Sequence, residues 1–143
     1  MLIVSEVKKA IRAHYLTTTL WTTNAYPLYE DHVPQSVTYP LITYYHISSN
    51  NRYAMTNNLT GHPKGYDYIW SRWQFSVFAN DRQNMLLEDI TDRVEDAYHK
   101  TPLILGNNCT HIATLVQNGH TLFYDQQQKI WSVHLQFWIW AGK

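Results

Sequence analysis

The chain reads as an α+β protein: a two-layer sandwich in which an antiparallel sheet of about four strands carries two helices on one face, in the order α-β-β-α-β-β. Three observations give this reading. Trp73, Phe75, Val77 and Ala79 alternate with Arg72, Gln74 and Ser76, the period of a strand with one face buried. Directly after them, Leu86, Ile90, Val94 and Ala97 recur at helical spacing and form one apolar stripe. Near the end, Val133, Leu135, Phe137 and Ile139 alternate with Ser132, His134 and Gln136. A strand that passes straight into an amphipathic helix is a two-layer core in miniature.

The remaining elements are placed around that centre. Val4, Val7 and Ile11, with Lys8, Lys9 and Arg12 opposite, predict a helix from about Ser5 to Leu16, which Thr17–Thr18–Thr19 discourages from continuing. Trp21 to Tyr39 has no clean period and carries Pro27 and Pro34; it reads as a connector lying over the domain, with Tyr26, Leu28 and Tyr29 packed down. Leu41 to Ile47 is apolar or aromatic at nearly every position and reads as a strand covered on both faces. Residues 48–68 are rich in Asn, Ser, Thr and Gly, and read as the long tip of a hairpin, mobile in the isolated subunit and ordered on assembly.

For the second helix, Asn80 is the expected N-cap, with Gln83 reaching back as in a capping box, and Pro102 stops the helix. Gly106–Asn107–Asn108 signals a turn, Thr110 to Gln117 a strand, and Asn118–Gly119 a further turn. Thr121 to Tyr124 offers a short strand before the closing strand, Ile130 to Ala141, where Trp138 and Trp140 lie on the second face.

Composition narrows the function classes. At 143 residues the chain is expected to be one domain with a core of its own. Lys plus Arg balance Asp plus Glu at 11 each, which argues against a dedicated nucleic-acid binder or a polybasic membrane-surface protein. No run reaches membrane-spanning length, and Met1–Leu2–Ile3–Val4 is too short for a signal peptide's apolar core. The single Cys109 provides no intrachain disulfide and fits a reducing compartment. The expectation is a soluble protein made in the cytoplasm. Six Trp, eleven Tyr and four Phe either fill an aromatic sheet core or, in part, serve a subunit interface, where Tyr and Trp are enriched.

Chemistry-bearing patterns are missing. His111, His120 and His134 have no spacing that fixes a zinc geometry, and Cys109 beside His111 lacks an orienting third group. There is no glycine-rich phosphate loop, nucleophile elbow or carboxylate pair in an acid–base context. The residues therefore predict no enzyme, catalytic metal or cofactor. The candidate contact residues are Arg52, Tyr53, Lys64, Tyr66 and Tyr68, which lie in or beside the hairpin tip.

In the order of its elements the chain resembles the tail-completion family of long-tailed bacteriophages, the tail-terminator and head–tail joining proteins. Tyr39–Pro40–Leu41–Ile42–Thr43–Tyr44 resembles the family's first strand, after an N-terminal helix and a proline-bearing connector. Trp73–Gln74–Phe75–Ser76–Val77–Phe78–Ala79–Asn80–Asp81, running into Leu86–Leu87–Glu88–Asp89–Ile90, resembles its strand–helix centre. Trp131 to Ile139 resembles its final strand. Each motif is generic alone; their order over most of the chain makes the resemblance. It implies a non-enzymatic virion protein assembled in the host cytoplasm and forming a ring, commonly a hexamer. Its partners would be its own copies, the tail tube protein and a head-completion or connector protein. The resemblance leaves room for DNA to pass through such a ring without being specifically bound. The alternatives are a minor capsid or neck protein of a phage and, from a different class, a small-ligand-binding α+β domain with an aromatic pocket.

Overall fold

The computed structural model describes residues 2–53, 67–117 and 121–143; within them, the side chains of residues 2, 51–53, 67 and 84 are not described. The α+β sandwich is present, with a larger sheet than the expected four strands. Six strands form one sheet in the order β1-β2-β3-β6-β4, with β5 also on β6. They are β1 (Leu28–Glu30), β2 (Leu41–Tyr53), β3 (Asp67–Asn80), β4 (Thr110–Val116), β5 (Thr121–Asp125) and β6 (Ile130–Gly142). The helices are α1 (Leu2–Tyr15), a single turn α2 (Thr19–Thr22) and α3 (Asn84–Tyr98).

The centre of the sheet is β3 against β6, antiparallel over the full length of both, with Trp73 opposite Phe137 and Phe75 opposite Leu135. Side chains alternate across a strand, so this register gathers Trp73, Phe75, Val77, Leu135, Phe137 and Ile139 on one face. All are buried, under α1 and α3. Tyr98, at the end of α3, fills the space between layers. Its ring lies 4.8 Å from Phe75 and 6.0 Å from Phe137, and Phe75 meets Phe137 edge to face at 5.3 Å. The Tyr98 hydroxyl donates to Ile11 O at 2.7 Å, and His14 Nε2 bonds Ala97 O at 2.8 Å, tying α1 to α3.

Several expectations are corrected. The hairpin of β2 and β3 exists, but the expected loop over residues 48–68 is partly strand: Ser48–Arg72 through Tyr53–Asp67 continue the ladder. A register shift between His46 and Ser48 returns the strand to pairing after a bulge, so polar composition did not end it. The rest of the expected loop falls outside the described residues, as does its expected mobility. The connector from Trp21 to Tyr39 carries the end of α2 and all of β1, which pairs parallel to β2 with Leu28 opposite Ile42. Three residues are too few to show a period.

The start of α3 also differs from expectation. A 3-10 turn at Asp81–Gln83 precedes it. Asn80 Oδ1 accepts from Arg82 N at 3.1 Å, while Gln83 donates to Tyr39 O at 2.8 Å in place of a capping box. The helix phase moves accordingly. Leu87 is buried at 3% exposure whereas Leu86 stands at 39%, and the inward stripe is Leu87, Ile90, Thr91, Val94 and Tyr98.

The Asn118–Gly119 turn lies outside the described residues, but the flanking strands limit its role. β4 pairs with the last part of β6, from Thr110–Gly142 to Val116–Phe137, and β5 with the first part, from Thr121–His134 to Asp125–Ile130. Both run antiparallel to β6, so they follow one another along its edge and do not fold back as a hairpin.

Phe75→Ala is expected to destabilise by about 3–5 kcal/mol and Leu135→Ala by about 2–5 kcal/mol, because both leave cavities in the layer interface. Leu86→Ala should stay within about 0.5 kcal/mol, as an exposed position. Denaturant unfolding of the three variants checks the helix phase and the core together.

Candidate functional site

The helices cover one face of the sheet; the opposite face has no second layer among the described residues. One half of it carries an aromatic ladder. Trp70 and Trp140, paired across β3 and β6, stack at 4.6 Å with 19° between planes. Tyr68 tilts over Trp140 at 5.4 Å, Trp138 meets Trp70 edge-on at 6.1 Å, and the Arg72 guanidinium lies 5.6 Å from the Trp138 ring. The rings spend their faces on one another, which keeps them half-buried without a covering layer. Arg72 Nε and Trp140 Nε1 are buried and have no hydrogen-bond partner among the described residues.

The other half is polar beneath an aromatic cover. Ser76 Oγ and His134 Nδ1 share a hydrogen bond of 2.6 Å, Gln74 Nε2 approaches the same nitrogen at 3.1 Å, and Ser132 Oγ lies 3.3 Å from His134 Nε2. In the tautomer with the proton on Nε2, Nδ1 accepts from the Gln74 amide and Nε2 donates a hydrogen bond to Ser132 Oγ. Phe78 and Phe123 meet the imidazole edge-on at 6.2 and 5.3 Å. Ser76 is 2% exposed, too enclosed to act as a nucleophile on an outside substrate.

Of the sequence-derived contact residues, Tyr68 joins the ladder. Arg52 and Tyr53 end β2 opposite Tyr68 and Asp67 in the backbone register. Lys64 and Tyr66 lie outside the described residues. The residues that reasoning from the sequence left out are Trp70, Arg72, Trp138 and Trp140. Their signal was present: each occupies the alternate position on its strand, but only the β3–β6 register shows that the two sets meet.

Among the described residues no group of three or more His, Cys, Asp or Glu lies close enough to hold a metal ion. Cys109 is buried, and burial pushes its thiol pKa up, away from thiolate chemistry. His111 bonds Thr114 Oγ1 at 2.6 Å and not the thiol. Among the described residues, grooves of about 500, 350 and 480 Å³ open on the surface.

No protein-family model matches the chain, and no curated protein matches it in sequence. Among solved structures, the fold is similar to that of a chain described as "Virion of native gene transfer agent (GTA) particle". The TM-score is 0.75 over 99% of this chain and 98% of that one, at 10% identity. At that identity the likeness is one of fold.

Burial holds the pKa of His46, His111 and His134 below the ordinary imidazole range. Below about pH 6.5 the unfolded chain therefore binds more protons than the folded one, and stability falls as pH drops toward the lowered values. The unfolding midpoint is expected to decline between about pH 7.5 and about pH 5.5. His134→Gln should flatten part of that slope in thermal unfolding followed across the same range.

Proposed function

We propose that the protein is a non-enzymatic structural subunit of a phage-type virion, closing into a ring that caps the tail tube and joins it to the head connector. The observation that carries the reading is the end-to-end likeness of fold to a chain of a virion particle, with nearly all of both chains aligned. Element order in the sequence points the same way, through its resemblance to the tail-completion family. The sheet suits such a role: one face is sealed by helices, and the other presents aromatic rings and an arginine for contact. A ring built from unlike patches on neighbouring copies closes by symmetry and ends polymerisation without any reaction. The copies, the tube protein and the connector protein would be its partners, and the virion its place. Individually weak contacts allow a monomer in dilute solution to close into a ring only on the tube end.

Deleting the gene from the phage or prophage that encodes it, and imaging the lysate by negative-stain electron microscopy, tests the role. Heads separated from tails of uncontrolled length, restored by the wild-type gene, are the expected result. Normal tails beside leaking or unstable heads would instead favour a neck position, and normal virions would end the virion reading.

A further inference from the structure

The sheet has three strands at its margins, and two of them are engaged. On β1, Leu28 O accepts from Arg12 Nη1 at 3.2 Å and Glu30 O from His32 N at 2.8 Å. On β4, Thr114 O accepts from Lys100 N at 2.7 Å, and Val116 N donates to His99 Nδ1 at 3.1 Å. β5 differs. It pairs only with β6 on one side, and all five of its residues are exposed. An edge strand is ordinarily shielded by lysine, proline, a bulge or a covering segment. Thr121–Leu122–Phe123–Tyr124–Asp125 has none of these four among the described residues; its one charge is Asp125, at the end of a strand of five residues.

The surroundings of β5 are apolar and acidic. Leu122 is 58% and Phe123 54% exposed, and Met85 on the adjacent α3 is 88% exposed. Between α3 and β5 runs the groove of about 500 Å³, floored by Leu87, Leu122 and Trp131. Glu88 and Asp92 line it, and among the described residues no lysine or arginine does. β5 itself is held in place: Tyr124 packs on Trp131 at 4.4 Å and donates to Asp81 at 3.3 Å, and Phe123 rests on His134.

From this we infer that β5 is a strand-addition site for an extended segment of another protein that carries both apolar and basic residues on the face it turns to α3. The open edge supplies main-chain hydrogen bonds; of the side chains turned to α3, the apolar ones enter the groove and the basic ones meet the two carboxylates that line it. A second copy of this chain fits less well. Pairing β5 with itself about a twofold axis would bring the acidic α3 surfaces toward each other, and the β1 edge of a neighbour already has its carbonyls engaged. The site does not depend on ring closure and is tested on the isolated protein.

The probe is a short peptide of Val-Thr-Lys-Thr repeats, which puts valine and lysine on one face of a strand, with a Val-Thr-Glu-Thr peptide as control, followed by amide hydrogen exchange. The expected result is saturable binding of the Val-Thr-Lys-Thr peptide that slows exchange in Thr121–Asp125. The Glu88→Lys/Asp92→Lys variant, altered at two exposed positions, should weaken binding by roughly tenfold. Leu122→Lys, which places a charge in the groove, should weaken it as well. Equal binding of the two peptides, or binding that leaves the β5 amides unprotected, overturns the inference. So does protection of β5 that rises with protein concentration alone, since the occupant would then be a second copy.

Discussion

The contact on which the structure depends is the three-ring cluster of Phe75, Phe137 and Tyr98. Phe75 and Phe137 belong to the two central strands and Tyr98 to the last turn of α3, so one set of ring contacts fixes sheet register and layer spacing together. The hydroxyl of Tyr98 extends the cluster to α1 through Ile11 O. Burial drives its pKa well above the ordinary phenol value, which keeps the group a neutral donor. Removing the ring would leave a cavity beneath both helices and take away the hydrogen bond that ties α3 to α1, two separate penalties at one position.

That centre was legible in the sequence because its periods are long and clean. Trp73, Phe75 and Val77 alternate for enough residues to name both the strand and its inner face, and Val133 to Ile139 do the same. The apolar stripe of α3 was legible too, except at its first member, because a 3-10 turn rotates the helix before regular spacing begins and turns Leu87 inward in place of Leu86. β1 was not legible, being three residues long, and the polar half of β2 was hidden because its pairing is set by β3 and not by its own composition. The candidate site was half legible. Tyr68 was identified from its place beside the hairpin tip, but the partners that give it a setting lie on β6, about seventy residues away, where only register connects them.

The two faces of the sheet solve the same problem by different means. On the inner face, apolar side chains are buried by helices, and polar groups such as Ser71 are bonded internally, here to Ile139 O at 3.0 Å. On the outer face the strands cover themselves. Rings lean on rings at one end, and at the other two phenylalanines shelter a histidine held by two serines and a glutamine. A surface built in this way is ordered before any partner arrives, so less side-chain freedom is lost on contact.

The stacked pair of Trp70 and Trp140 also makes the sheet report on itself. Two indoles at 4.6 Å are close enough for their electronic transitions to couple, and with Trp138 6.1 Å from Trp70 the cluster gives a split circular-dichroism band wherever its transition moments are skewed. The pair exists only because residues 70 and 140 stand opposite each other in the β3–β6 register. A slip of one residue would send one ring to the inner face and extinguish the band. The chain thus carries an optical gauge of its own strand alignment, readable without a label.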